Sequence, residues 1–111
     1  MVGGTTGEST SFSTAERLEA VKAWLAIADN FGLSVYVHVG MGSIQEAAGY
    51  TAAVALLPGV KGIFCMPSVY FKPSTIPNLV DTMAIVAAGA PDLPFWYYHF
   101  PAKTMVDFNM F

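Results

Sequence analysis

Apolar residues return along this chain at changing intervals, and each change marks an element. Leu18, Val21, Leu25 and Ala28 fall three or four residues apart, which lays one stripe along a helix. Ser13-Thr14-Ala15-Glu16 precedes that stripe with the spacing at which a hydroxyl and a carboxylate satisfy each other's backbone amides. Gly32 offers a left-handed stop. The run Val35-Tyr36-Val37-His38-Val39-Gly40 is β-branched and aromatic and short enough for a buried strand. Ser43-Ile44-Gln45-Glu46 repeats the capping spacing, Ala47, Tyr50, Val54 and Leu57 repeat the stripe, and Pro58-Gly59 ends it. Gly62-Ile63-Phe64-Cys65-Met66 predicts a second strand, after which Pro67 and Pro73 bracket an irregular loop. A third helix is expected with Thr75 as its cap, with Leu79, Met83, Val86 and Ala87 inward, and with Gly89-Ala90-Pro91 as its stop. The last strand is expected from Pro94 to Phe100, closed by Pro101.

Strands joined by helices at intervals of about 30 residues are the pattern of right-handed βαβ units, and the chain is read as α/β with a parallel sheet. Its strands are apolar on both faces, as parallel sheets require. Two architectures fit: a small open sheet with helices on both sides, or a run of units from a (β/α)₈ barrel. Met1-Val2-Gly3 leads straight into a polar loop and a helix, as though a strand were entered near its end, and this favours the partial barrel. Residues 1–111 are therefore expected to form one partial-barrel segment.

Composition narrows the choice. With 111 residues and 54% apolar content the chain builds one core, and 12% charged residues is about half the usual share, which excludes a disordered chain. The net charge is −3, and Arg17, Lys22, Lys61, Lys72 and Lys103 are scattered, so no basic stripe stands ready for nucleic acid. Cys65 is the one cysteine, which rules out an internal disulfide. The opening residues lack the charged and apolar regions of a signal peptide, and no apolar run reaches the roughly 18 residues of a membrane span. An intracellular, cytoplasmic protein is expected.

Three groups of residues could carry chemistry. Gly3-Gly4-Thr5-Thr6-Gly7-Glu8-Ser9 offers backbone amides and hydroxyls to an anion but lacks the lysine of a phosphate-binding loop; the alternative is a frayed polar terminus. Phe95-Trp96-Tyr97-Tyr98-His99-Phe100-Pro101-Ala102 puts phenols and an imidazole at the carboxyl end of a strand, where barrel active sites lie, although aromatic rings there also serve as core. His38, Cys65 and His99 end successive strands and could bind zinc with a position left open. Imidazoles at strand ends more often hydrogen-bond locally, and no close-spaced ligand pair supports a metal.

Gly4-Thr5-Thr6-Gly7-Glu8, His38-Val39-Gly40, Phe71-Lys72-Pro73 and Tyr97-Tyr98-His99-Phe100-Pro101-Ala102 occur together and in order. In that combination the chain resembles the N-acetylneuraminate lyases (sialic acid aldolases) of eukaryotic type, within the dihydrodipicolinate synthase-like class I aldolases. The resemblance implies a (β/α)₈ barrel of which this chain covers the end of strand 2 through strand 5. It implies that Thr5, Thr6 and adjacent amides hold the carboxylate of pyruvate and that Tyr98 relays a proton. Tyr70 is the nearest match to an aromatic hydroxyl that some members lend to a neighbouring subunit. It further implies reversible cleavage of N-acetylneuraminate to N-acetylmannosamine and pyruvate through a lysine Schiff base, with no metal or organic cofactor and with a homo-oligomeric complete protein.

The family's Schiff-base lysine lies on the sixth barrel strand, and the sequence ends at Phe111 before that strand is expected. Lys103 follows the fifth strand, Lys22 lies on a helix and Lys61 precedes a strand at the far end of the barrel, so none is expected to replace it. The chain alone is therefore expected to be inactive. Two other readings remain at this stage: a non-catalytic half-barrel module that pairs with another chain, and a small open-sheet binding protein. On the half-barrel reading, Val35, Val39, Phe64 and Trp96 are expected among the apolar residues left exposed.

Overall fold

The computed structural model describes residues 1–40 and 42–109. Three helices alternate with three strands: α1 (Thr14–Ala28), β1 (Val35–His38), α2 (Ile44–Ala55), β2 (Val60–Cys65), α3 (Ile76–Ala87) and β3 (Phe95–Tyr97), followed by the short α4 (Pro101–Thr104). Each long helix starts where a local side chain satisfies its free amides. Ser13 accepts from the Glu16 amide while the Glu16 carboxylate accepts from the Ser13 amide, a reciprocal capping box. Ser43 accepts from the Glu46 amide without the return bond, and Thr75 accepts from the Asn78 amide. After α1 a short 3₁₀ turn carries the chain to Gly32, whose φ of 63° ends it.

The strands pair in parallel in chain order, β1-β2-β3. Val2 forms an isolated parallel bridge to Val37, with its amide donating to the Tyr36 carbonyl and its carbonyl accepting from the His38 amide. The chain thus opens as the end of a fourth strand beside β1. Parallel strands laid down in chain order by right-handed crossovers carry every helix on the same face; a doubly wound sheet needs a reversal of order to cover both. Consistent with this, α2 packs on both α1 and α3. The fold is a partial (β/α)₈ barrel, and the open two-sided sheet is excluded.

The core lies between sheet and helices. Val35, Val37, Val39, Ile63 and Cys65 face the helix layer and are buried with Val21, Ala28, Val54, Leu79, Met83 and Val86. The opposite face carries Tyr36, Phe64 and Trp96, whose rings meet at centroid distances of 5.0–6.1 Å. Gly62 makes that cluster possible, because a Cβ there would run into the Trp96 indole and lie 3.1 Å from the Pro94 carbonyl. The expectation that Val35 and Val39 lie exposed is therefore corrected. They are 5% and 0% accessible because they point toward the helices, whereas Trp96 stays 41% accessible.

The bounds of β1 and β3 are tighter than expected, while β2 starts two residues earlier, at Val60, and ends at Cys65 rather than Met66. β1 ends at His38 rather than Gly40, and β3 covers only Phe95–Tyr97 rather than Pro94 to Phe100. Pairing with β2 stops at Cys65, so residues past Tyr97 have no ladder to continue; one last bond runs from the Tyr98 amide to the Cys65 carbonyl. Lys61 lies inside β2, not before it, with an exposed side chain.

Candidate active site

The opening loop is not frayed. Gly3, at φ +74°, turns the chain off the first strand end, and Thr5–Gly7 and Ser9–Ser11 form two successive 3₁₀ turns. Glu8 joins them in the left-handed region. This winding brings Thr5 across the carboxyl ends of the strands to Tyr98. The Thr5 Oγ1 and the Tyr98 hydroxyl lie 3.5 Å apart, at the outer limit of a hydrogen bond, although 93 residues separate them in sequence. Thr6 is exposed next to them. Gly3, Gly4, Thr5, Thr6 and Tyr98 line one open cleft of about 640 Å³.

His38 sits beneath this pair. Its ring meets the Tyr98 ring edge-on at 5.7 Å, and its Nε2 accepts from the Met66 amide at 3.3 Å. That bond makes Nε2 the acceptor, so the neutral tautomer carries its proton on Nδ1. His38 is fully buried, and its pKa falls to about 4, first because burial disfavours the charged ring and second because Arg17 is near. The Gly3 backbone works weakly the other way, although Nδ1 has no hydrogen bond of ordinary geometry.

Sequence reasoning missed Arg17 as a site-building residue. Its guanidinium is buried, donates from Nη2 to the His38 carbonyl at 2.9 Å and to the Gly40 carbonyl at 3.2 Å, and lies 4.5 Å above the Tyr50 ring. Burial lowers its pKa, and Tyr50 opposes that shift. The signal was present: Arg17 falls on the buried stripe with Val21 and Ala28, where a solvated charge has no place. Gly40 follows from the same packing, since a Cβ there would stand 2.9 Å from the His38 ring and 3.0 Å from the Met66 nitrogen.

The remaining candidates separate. Cys65 is buried on the helix side, where loss of solvent pushes its thiol up to about 12, and its Sγ donates to the Met66 carbonyl. His99 lies 3.8 Å from the exposed Asp107 carboxylate. The trio His38, Cys65 and His99 therefore does not converge, and among the described residues no group of three His, Cys, Asp or Glu side chains could hold a metal. Tyr70 stands 83% accessible in the loop after β2, stacked edge-on against an equally exposed Phe71 at 4.9 Å. Lys103, on α4, is exposed and borders a smaller cavity of about 220 Å³ that Gly4 and Thr5 also line. Tyr97 turns away from Tyr98, and burial raises its pKa.

Hydroxyls and a phenol thus gather at the carboxyl ends of consecutive parallel strands, the end at which (β/α)₈ barrels carry their sites. The chain belongs to the dihydrodipicolinate synthetase family, whose pattern matches residues 1–110. N-acetylneuraminate lyase of Sus scrofa is 38% identical over 105 residues, which is 95% of this chain and 33% of that protein. The solved N-acetylneuraminate lyase of Aliivibrio salmonicida superposes with a TM-score of 0.90 at 34% identity, over 98% of this chain and 35% of that one. That of Proteus mirabilis also gives 0.90, at 29% identity, over 98% and 36%. The chain thus spans about a third of the length of these relatives and is lyase-like throughout. No described helix is long and apolar enough to cross a membrane.

Proposed function

We propose that this chain is the part of an N-acetylneuraminate lyase that holds pyruvate and moves the proton, while the Schiff-base lysine is supplied from outside residues 1–111. The observation that carries this reading is the approach of the Thr5 hydroxyl to the Tyr98 phenol across the mouth of the strands. A phenol relays a proton only when a second hydroxyl or a charged intermediate is positioned to pass it on, and Thr5 is that second hydroxyl. Thr6 is exposed and its hydroxyl is open to a carboxylate, while the Gly7 and Glu8 amides of the opening turn already donate to the Gly4 and Thr5 carbonyls. In the complete enzyme a lysine amine condenses with the ketone of N-acetylneuraminate and releases water. The resulting iminium accepts the electron pair of the breaking carbon–carbon bond, Tyr98 takes the proton of the sugar hydroxyl as its own phenol proton passes on through the Thr5 hydroxyl, and N-acetylmannosamine leaves. The relayed proton ends on the enamine carbon, and hydrolysis of the iminium so formed returns pyruvate and the amine.

None of Lys22, Lys61, Lys72 and Lys103 is buried, so none has the desolvation that activates an amine. The chain alone is therefore proposed to be inactive, and the complete protein to be a homo-oligomer that uses Tyr70 at an interface. A reducing compartment such as the cytoplasm suits the free, buried Cys65. The test joins this chain to the remaining two-thirds of the Sus scrofa lyase and measures release of N-acetylmannosamine. Tyr98→Phe should lower turnover by roughly two to four orders of magnitude, the usual worth of a positioned proton donor. Near-normal turnover would remove Tyr98 from the reaction.

A further inference from the structure

His38 is tied through its backbone and its ring to four neighbours around the cleft, and the proton relay uses none of these contacts. Its amide donates to the Val2 carbonyl, its own carbonyl accepts from Arg17, its Nε2 accepts from the Met66 amide, and its ring edge meets Tyr98. Four strand ends therefore meet on one residue: the Val2 end, β1 itself, the exit of β2 and the exit of β3. The ring is fully buried, and Gly40 leaves it the space it occupies. Tyr98, by contrast, lies beyond the last ladder residue of β3, with a single backbone bond to Cys65. The ladder fixes its backbone at one point only, so its phenol needs a wall to lean on.

We propose that His38 is a positioning residue: its neutral imidazole, held by the Met66 amide while Arg17 anchors the His38 backbone carbonyl, is the wall that sets the Tyr98 phenol against Thr5. The inference rests on the proton-relay reading of Tyr98 and adds the residue that makes that relay geometric. A ring is required and a charge is harmful. A protonated imidazole would lose the acceptor that the Met66 amide uses and would face the Arg17 guanidinium in a closed space. Burial already holds the ring neutral at physiological pH. The Tyr98 ring also stacks on Phe100 at 5.8 Å, so its plane is fixed from two sides, and only the His38 side connects to the other strands.

The experiment reads the Thr5–Tyr98 contact without turnover. The full chain is labelled with tyrosine carrying ¹³C at Cζ, and the Tyr98 resonance is assigned by its loss in Tyr98→Phe. Thr5→Val is then introduced into the wild-type, His38→Ala, His38→Asn and His38→Phe chains, and the shift it causes at Tyr98 is the coupling in each. In wild type, Thr5→Val should move Tyr98 and leave Tyr36 and Tyr97 in place. In His38→Ala and His38→Asn that shift should vanish, and in His38→Phe, which restores a ring of similar size, most of it should return. A full-size shift in His38→Ala overturns the proposal. So does collapse of every tyrosine resonance in all three His38 variants, which would make His38 an ordinary core residue. A wild-type chain in which Thr5→Val leaves Tyr98 unmoved overturns the relay pair itself, before any His38 variant is compared.

Discussion

A proton on His38 would have to enter a space closed to water and already holding the Arg17 cation, and this makes the residue a pH-dependent element of stability. Its pKa falls from the ordinary 6.5 of an imidazole in the unfolded chain to about 4 in the fold. Between those values the unfolded chain binds the proton and the fold does not, so stability rises with pH. The contribution is complete above about pH 6.5 and is lost progressively as the pH falls toward about 4, and it amounts to roughly 3 kcal/mol at full extent. Thermal unfolding followed across that window should show a falling midpoint in wild type and a flatter profile in His38→Phe; identical profiles would contradict the buried, neutral ring. Cys65 gives a second check, since a thiol pushed up to about 12 carries almost no thiolate at neutral pH. It should resist iodoacetamide in the folded chain and react after denaturation. The pairing of Thr5 with Tyr98 was legible in the sequence because their motifs travel together, and His38 was legible as a strand-end imidazole, whereas Arg17 was not. An arginine reads as solvated until a helix places it over β1, and a strand-end histidine reads as locally hydrogen-bonded, as it is, but shows its reach to Tyr98 only once the strand ends meet around it.

Helix starts were legible because capping is local. Ser13 and Thr75 act on amides three residues away, so spacing alone finds them. Removing the Ser13 hydroxyl in Ser13→Ala should cost about 1 kcal/mol in urea unfolding, and no change would mean that α1 is held by packing alone. Strand faces were not legible for the opposite reason. Residues of β1 and β2 are apolar on both sides, and nothing in Val35-Tyr36-Val37 says which side meets helices until the chain-order sheet gathers all of them on one face. Gly62 records the answer, since it is the position over which Trp96 folds back on the opposite face. Gly62→Ala should therefore destabilise the chain by roughly 1–3 kcal/mol, as overpacking does, and should disturb the stacking of Phe64 on Trp96. Circular dichroism in the near ultraviolet reads both effects, and an unchanged aromatic signal would contradict the cluster.

At the scale of the molecule both the inner face of the sheet and the α3 side of the helix layer leave apolar surface open. Trp96 and the Tyr70–Phe71 pair are accessible, and a groove along Ile76, Val80 and Ala84 beside Phe95 is wholly apolar. Surfaces of that kind drive association, so sedimentation of the chain by itself should show oligomers or aggregates, and a stable monomer with a sharp unfolding transition would contradict the open half-barrel. The architecture could be read from the repeat of strand and helix and from the Val2 end. The cleft could not, because it forms only where four strand ends converge. The central claim is a division of labour: these residues hold the carboxylate and move the proton, and the electron sink lies elsewhere. It is tested most directly in the protein rebuilt with the remaining two-thirds of the Sus scrofa lyase, incubated with pyruvate and borohydride and mapped by mass spectrometry. The account predicts one trapped adduct on a lysine outside residues 1–111; stoichiometric labelling of Lys22, Lys61, Lys72 or Lys103 would contradict it.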